Sequence, residues 1–97
     1  MCYAPNSVEK SAEAILVEAA SLIERRAFWG PNTPPTAWAA YLIASNGATG
    51  TAAADTALRR ELQIPRHRPV NIGIAQWEKD CTPEERATMF RNAKRWL

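Results

Sequence analysis

The chain has 97 residues, a formal net charge of +2 and an apolar content of 46%. That length holds one hydrophobic core rather than two, and the composition excludes a disordered or low-complexity chain. The net charge is too small to assign a partner. The charges are segregated, however: the first predicted helix is rich in acids and the last third of the chain in bases.

The first predicted helix spans about Ser7 to Ala27. Asn6 is placed to cap it, with Glu9 completing a capping box. Val8, Ala12, Ile15, Leu16, Ala19, Leu22 and Ile23 recur at offsets of three and four, which gives one apolar face. FWGPNTPP (28–35) ends it, with Gly30 as the left-handed cap and Pro31, Pro34 and Pro35 blocking continuation. Thr33-Pro34-Pro35 then reads as a cap with first-turn prolines. A second helix follows, with Trp38, Tyr41, Leu42 and Ala44 or Ser45 at helical spacing, closed by Asn46-Gly47. Thr51 is expected to cap a third helix through about Gln63, burying Ala54, Ala57, Leu58 and Leu62, and Pro65 stops it. RHRPVN (66–71) is a basic loop. A short fourth helix is expected over about 70–79, because an isolated strand at Ile72 and Ile74 would leave its backbone unpaired. Thr82-Pro83-Glu84-Glu85 carries three start signals for a last helix: a capping threonine, a proline at the first helical position and a glutamate that reaches back. Pro83, Ala87, Phe90, Ala93 and Leu97 form its apolar stripe, with Met89 and Trp96 beside it. The fold expected is an all-α, single-domain bundle of about five helices over residues 1–97. Because much of the apolar content is alanine, the four tryptophans are expected to supply much of the packing.

Little here resembles catalytic chemistry. Cys81 precedes a helix start, which favours a thiolate, but Asp80, Glu84 and Glu85 oppose one. The stretch QWEKDCTPEE (76–85) therefore reads as a joint: Trp77 anchors the fourth helix, the charges face water and Thr82 starts the last helix. One histidine, His67, and two distant cysteines match no zinc spacing. Asn46-Gly-Ala-Thr-Gly lacks the lysine of a phosphate loop. No enzyme activity, no metal and no cofactor are expected. No apolar run is long enough to span a bilayer and no secretory leader is evident, so a cytoplasmic protein with reduced thiols is expected, without membrane association.

Two basic clusters remain. Arg59, Arg60, Arg66, His67 and Arg68 lie in and after the third helix. Arg91, Lys94 and Arg95 are predicted to share one face of the last. Bases there complement the helix dipole, or they meet an acidic partner. The expected contact residues are Arg91, Lys94, Arg95, Arg66 and Arg68. The partner expected first is a protein. The alternative is nucleic acid, read through the clusters at 59–68 and 91–95. The second and third helices could also form a helix-turn-helix offering Thr51, Asp55, Thr56 and Arg59, although the turn at 46–50 is long for that motif. Nothing in the pattern indicates an oligomeric state.

Two segments, AILVEAASLIERRAFWG (14–30) and IAQWEKDCTPEERATMFRNAKRW (74–96), resemble a family of small helical proteins of actinobacteria and their phages. Trp77 is followed by Glu-Lys-Asp where that family has Asn-Asp. The resemblance implies a helical fold and a mobile-element setting, such as a phage- or plasmid-borne regulator or inhibitor, and no particular activity.

Overall fold

The computed structural model describes residues 9–97. Five α-helices follow in chain order: α1 (Ala12–Arg25), α2 (Ala37–Ser45), α3 (Thr51–Leu62), α4 (Val70–Trp77) and α5 (Pro83–Ala93). Glu78–Asp80 and Lys94–Trp96 form single 3₁₀ turns. No strand occurs among the described residues, so the chain is an all-α bundle. α1 packs against α2, α3 and α5, and α4 packs against α2 and α3.

α1 starts later than its apolar periodicity predicts. Glu9 and Lys10 are not helical, and Ser11 is the cap, its Oγ accepting from the Ala14 N–H at 3.1 Å. The expected cap at Asn6 and start at Ser7 lie outside the described residues. Tertiary bonds set the true start. The Lys10 carbonyl accepts from the Gly50 N–H at 2.9 Å, and the Lys10 ammonium donates to Glu18 (2.6 Å) and to the Ala44 carbonyl (2.7 Å) near the end of α2. At its other end α1 closes on Arg26 rather than Gly30. Arg26 adopts φ 53°, ψ 43°, and the Ala27 N–H bonds back to Leu22 O. A left-handed residue with a Cβ costs about 1–2 kcal/mol. Here the Arg26 guanidinium offsets that cost by donating to the carbonyls of Gly30 and Thr33, both at 2.6 Å.

The caps of α2 and α3 also differ from expectation. α2 begins after Thr36, not at the prolines, and no neighbouring side chain caps it. Glu78 does so from across the fold, accepting from the N–H groups of Ala37 (2.6 Å) and Trp38 (3.2 Å). Glu78 is therefore buried, a correction to the expectation that the charges of QWEKD all face water. The buried Arg86 completes the assembly by donating to Pro35 O (2.6 Å) and Glu78 O (2.9 Å). Its Nε lies 3.1 Å from the Glu78 carboxylate, paired with it by charge but not aligned for a hydrogen bond. At α3, Gly50 occupies the cap position and Thr51 is already helical, its hydroxyl within 3.0 Å of Ser45 O and 2.9 Å of Ala48 O. A Cβ on Gly50 would stand 2.4 Å from the Ala12 nitrogen, so only glycine fits where α3 meets the start of α1. α5 starts as its sequence predicts. Thr82 Oγ accepts from the Glu85 N–H at 3.2 Å, and the Glu85 carboxylate accepts from the Thr82 N–H at 2.8 Å.

The core is built from small and branched residues. Ala19, Ala20, Ala37, Ala40, Ala54, Ala57 and Ala93 are fully buried around Ile15, Leu16, Leu58, Ile74 and Phe90. Phe90 stacks on Tyr41, which joins α5 to α2 (centroids 6.2 Å apart). The Tyr41 hydroxyl donates to Asp55 on α3. Burial first, and then the bond to Asp55 and its charge, push the Tyr41 phenol well above its ordinary pKa. None of the four tryptophans is buried. Trp29 and Trp77 pack on the core edge, while Trp38 and Trp96 are about 40% exposed. Alanine contacts bring helix backbones too close together to admit an indole. The same spacing rotates α2, so that Ala37, Ala40, Tyr41, Ala44 and Ser45 face inward and Trp38, Leu42 and Ile43 face out. Leu97, expected in the stripe of α5, is also exposed.

Candidate functional site

The end of α3 and the end of the chain build one surface together. Arg59 and Arg60 occupy the last turn of α3, and Gln63 takes the left-handed conformation that ends it. Arg59 then turns inward, donating from Nη1 to the carbonyls of Pro65 and Arg68, each at 2.8 Å. This shapes the 65–68 loop and leaves Arg66 and His67 exposed and Arg68 half-buried. The 3₁₀ turn Lys94–Trp96 packs against α3. Glu61 holds it there, accepting from Arg95 Nε (3.0 Å), Arg95 Nη2 (2.8 Å) and Trp96 Nε1 (2.9 Å). The Trp96 ring lies 5.9 Å from the Arg60 guanidinium and 5.8 Å from that of Arg95, within cation–π range. One arginine from each of two clusters far apart in sequence, Arg60 and Arg95, thus meets a single exposed indole. Burial raises the pKa of Glu61, but the hydrogen bonds from Arg95 and Trp96 and the charge of Arg95 outweigh that, and its carboxyl stays below the usual range.

The predicted contact residues divide between two places. Arg95 belongs to this surface, Lys94 precedes it in the same 3₁₀ turn, and Arg66 and Arg68 lie in the loop that Arg59 ties to the end of α3. Arg91 does not belong to it: its guanidinium grips Glu24 of α1 with two bonds, 2.5 and 2.6 Å. The expectation that Arg91, Lys94 and Arg95 share one face is therefore corrected. The last turn winds as a tighter 3₁₀ helix, and acids from two different helices take the two arginines. The hydrogen bonds from Arg91, against a smaller opposing effect of burial, hold the Glu24 carboxyl below its ordinary pKa, and Glu24 raises that of Arg91. Among the described residues, Arg66 and Lys94 make no side-chain hydrogen bond or ion pair, so their charges stay free. Arg60 and Trp96 were not among the contact residues expected. Their signal is Arg95-Trp96, an aromatic directly beside a base, which helical periodicity instead assigns to the core edge.

The remaining sequence candidates are otherwise engaged. Of the side chains a helix-turn-helix would offer, Thr51, Asp55 and Arg59 bond within the chain, and the Thr56 hydroxyl donates to Ala52 O at 3.1 Å. The Cys81 thiol contacts Trp77 O at 3.5 Å. Burial raises its pKa, and the charges of Glu85, Asp80 and Glu78 add to that against an opposing pull from Arg86. Among the described residues no three His, Cys, Asp or Glu side chains converge to hold a metal, and no helix is long and apolar enough to cross a membrane. Comparison with protein families, curated proteins and solved structures found no match.

Proposed function

We propose that the chain is a small non-enzymatic interaction protein that grips an acidic macromolecular partner, a protein in the first instance, through the surface around Trp96. The supporting observation is the convergence of Arg60, Arg95 and Trp96 with the unpaired charges of Lys94 and Arg66 close to them in sequence. Exposed arginine and tryptophan are the residues most enriched at the energetic centres of interfaces. A role as a phage- or plasmid-borne regulator or inhibitor is the setting that the resemblance of residues 14–30 and 74–96 implies, and cytoplasmic action fits it.

A second reading has its own support. An exposed indole between guanidinium groups is the combination that stacks on unpaired bases while its charges track phosphates. The deciding experiment uses the intact chain and its Arg66→Glu, Lys94→Glu double variant. Among the described residues neither side chain has a hydrogen-bond or ion-pair partner, so the fold is expected to survive. Stoichiometric capture of one protein by the wild type, lost in the variant, supports the first reading. A retarded band on a mixed-sequence single-stranded oligonucleotide at moderate salt, lost in the variant, supports the second. Binding that ignores the double reversal would remove this surface from consideration.

A further inference from the structure

A groove of about 380 Å³, with Glu61 in its lining, runs between α5 and the ends of α3 and α4. Leu62, Trp77 and Met89 supply its apolar lining, Glu61, Glu84 and Glu85 supply carboxylates, and no lysine or arginine lines it. Arg95 neutralises Glu61 alone. Glu85 is bonded to the Thr82 amide, which positions its carboxylate without cancelling its charge, and Glu84 has no ion pair or hydrogen bond among the described residues. The backbone and side-chain bonds from Thr82 also hold the Glu85 carboxyl below its ordinary pKa. A second groove, of about 440 Å³, shares Glu84 and Thr88 with the first and is lined also by Ile23, Pro83, Glu24 and Arg26; Arg91 pairs with Glu24, and the Arg26 guanidinium is bonded to the Gly30 and Thr33 carbonyls. The two grooves therefore adjoin on one face of α5.

We infer that this face docks a lysine- or arginine-bearing segment of a protein partner, with a basic side chain lying along Trp77 and Met89 and its cationic head meeting Glu84 and Glu85. Lysine and arginine carry a long apolar stem behind a charged head, and that amphipathy matches an apolar channel with unneutralised carboxylates. The indole adds attraction for a cation held near its ring. A small cation would use only one carboxylate site. The apolar lining of the first groove, Leu62, Trp77 and Met89 beside Glu84 and Glu85, suits a side chain with an apolar stem and a charged head better. The inference does not depend on the surface around Trp96.

The test is an NMR titration of the isotope-labelled chain with a short capped peptide of lysine, alanine and leucine, and with the same peptide carrying glutamate for lysine. The expected result is binding of the lysine peptide alone, with shifts at the Trp77 indole, Leu62, Met89 and Glu84. Glu84→Lys should weaken it by about fivefold or more, the scale of losing and then reversing one exposed charge pair. Glu84→Gln should weaken it less, and it keeps a side chain of the same shape at the helix start. Circular dichroism of both variants verifies that they fold. The inference is overturned if the lysine peptide does not bind at millimolar concentration or both peptides bind alike. It is also overturned if the shifts map to the outer face of α2, if Glu84→Lys leaves affinity unchanged, or if the groove instead takes up the 66–68 loop of a second copy.

Discussion

Glu78 and Arg86 form a buried ion pair in which each member also fixes a remote stretch of backbone. Glu78 closes the start of α2 and Arg86 holds the Pro35 carbonyl. Removing either partner alone leaves the other charge buried and unpaired. Glu78→Ala and Arg86→Ala should each cost about 3–5 kcal/mol, much of the stability of a small domain. The double variant should cost clearly less than the sum, because no lone charge remains. Urea denaturation of the four proteins gives the coupling, and a loss below about 1 kcal/mol for Glu78→Ala would show that α2 does not need this cap.

Gly50→Ala tests the contact between α1 and α3. The added methyl would overlap the backbone at Lys10–Ala12, which cannot swing aside as a side chain can. The expected loss is about 1–3 kcal/mol, read from the thermal midpoint and enthalpy. An unchanged midpoint would mean that the two segments are not in contact.

Thr82→Ala should cost about 1 kcal/mol, because it removes the hydroxyl that accepts from the Glu85 N–H, while the backbone N–H at position 82 still donates to the Glu85 carboxylate. Thr82→Asn should restore most of the loss, since asparagine caps as well. If both variants melt alike, the side chain of Thr82 is not the cap.

The Arg91–Glu24 pair predicts a pH dependence. Glu24 has a lower pKa folded than unfolded. Its contribution is therefore present above the unfolded value, about 4.3, and is lost as pH falls through the folded one. Both side chains are roughly half exposed, so solvent reduces the pair to a few tenths of a kcal/mol. Arg91→Gln should be slightly less stable than wild type at neutral pH. The difference should close in acid, and also in high salt at neutral pH. A gap that persists in acid would assign the effect to packing of the arginine stem.

Legibility from sequence followed the range of the interactions concerned. The capping box of α5 was readable because Thr82, Pro83 and Glu85 are neighbours and their bonds are local. The position and class of all five helices followed from offsets of three and four and from glycine and proline breaks. The starts of α1 and α2 were not readable, because Gly50 and Glu78 set them from distant parts of the chain. Nor was the outward turn of Trp38, because hydropathy ranks an indole as core whereas close alanine contacts exclude it. The two basic clusters were visible as composition. The meeting of Arg60 and Arg95 at Trp96, and the diversion of Arg91 to Glu24, depend on how α5 lies between α1 and α3.

The reach of Glu78 to α2 also bears on how the molecule opens. The first amides of α2 stay satisfied only while the segment carrying Glu78 remains docked. Detaching the 78–86 segment would expose the Ala37 and Trp38 N–H groups to water together with its own. In hydrogen exchange, the start of α2 and the start of α5 should therefore behave as one opening unit, with matched free energies and matched sensitivity to denaturant, although more than forty residues separate them in sequence.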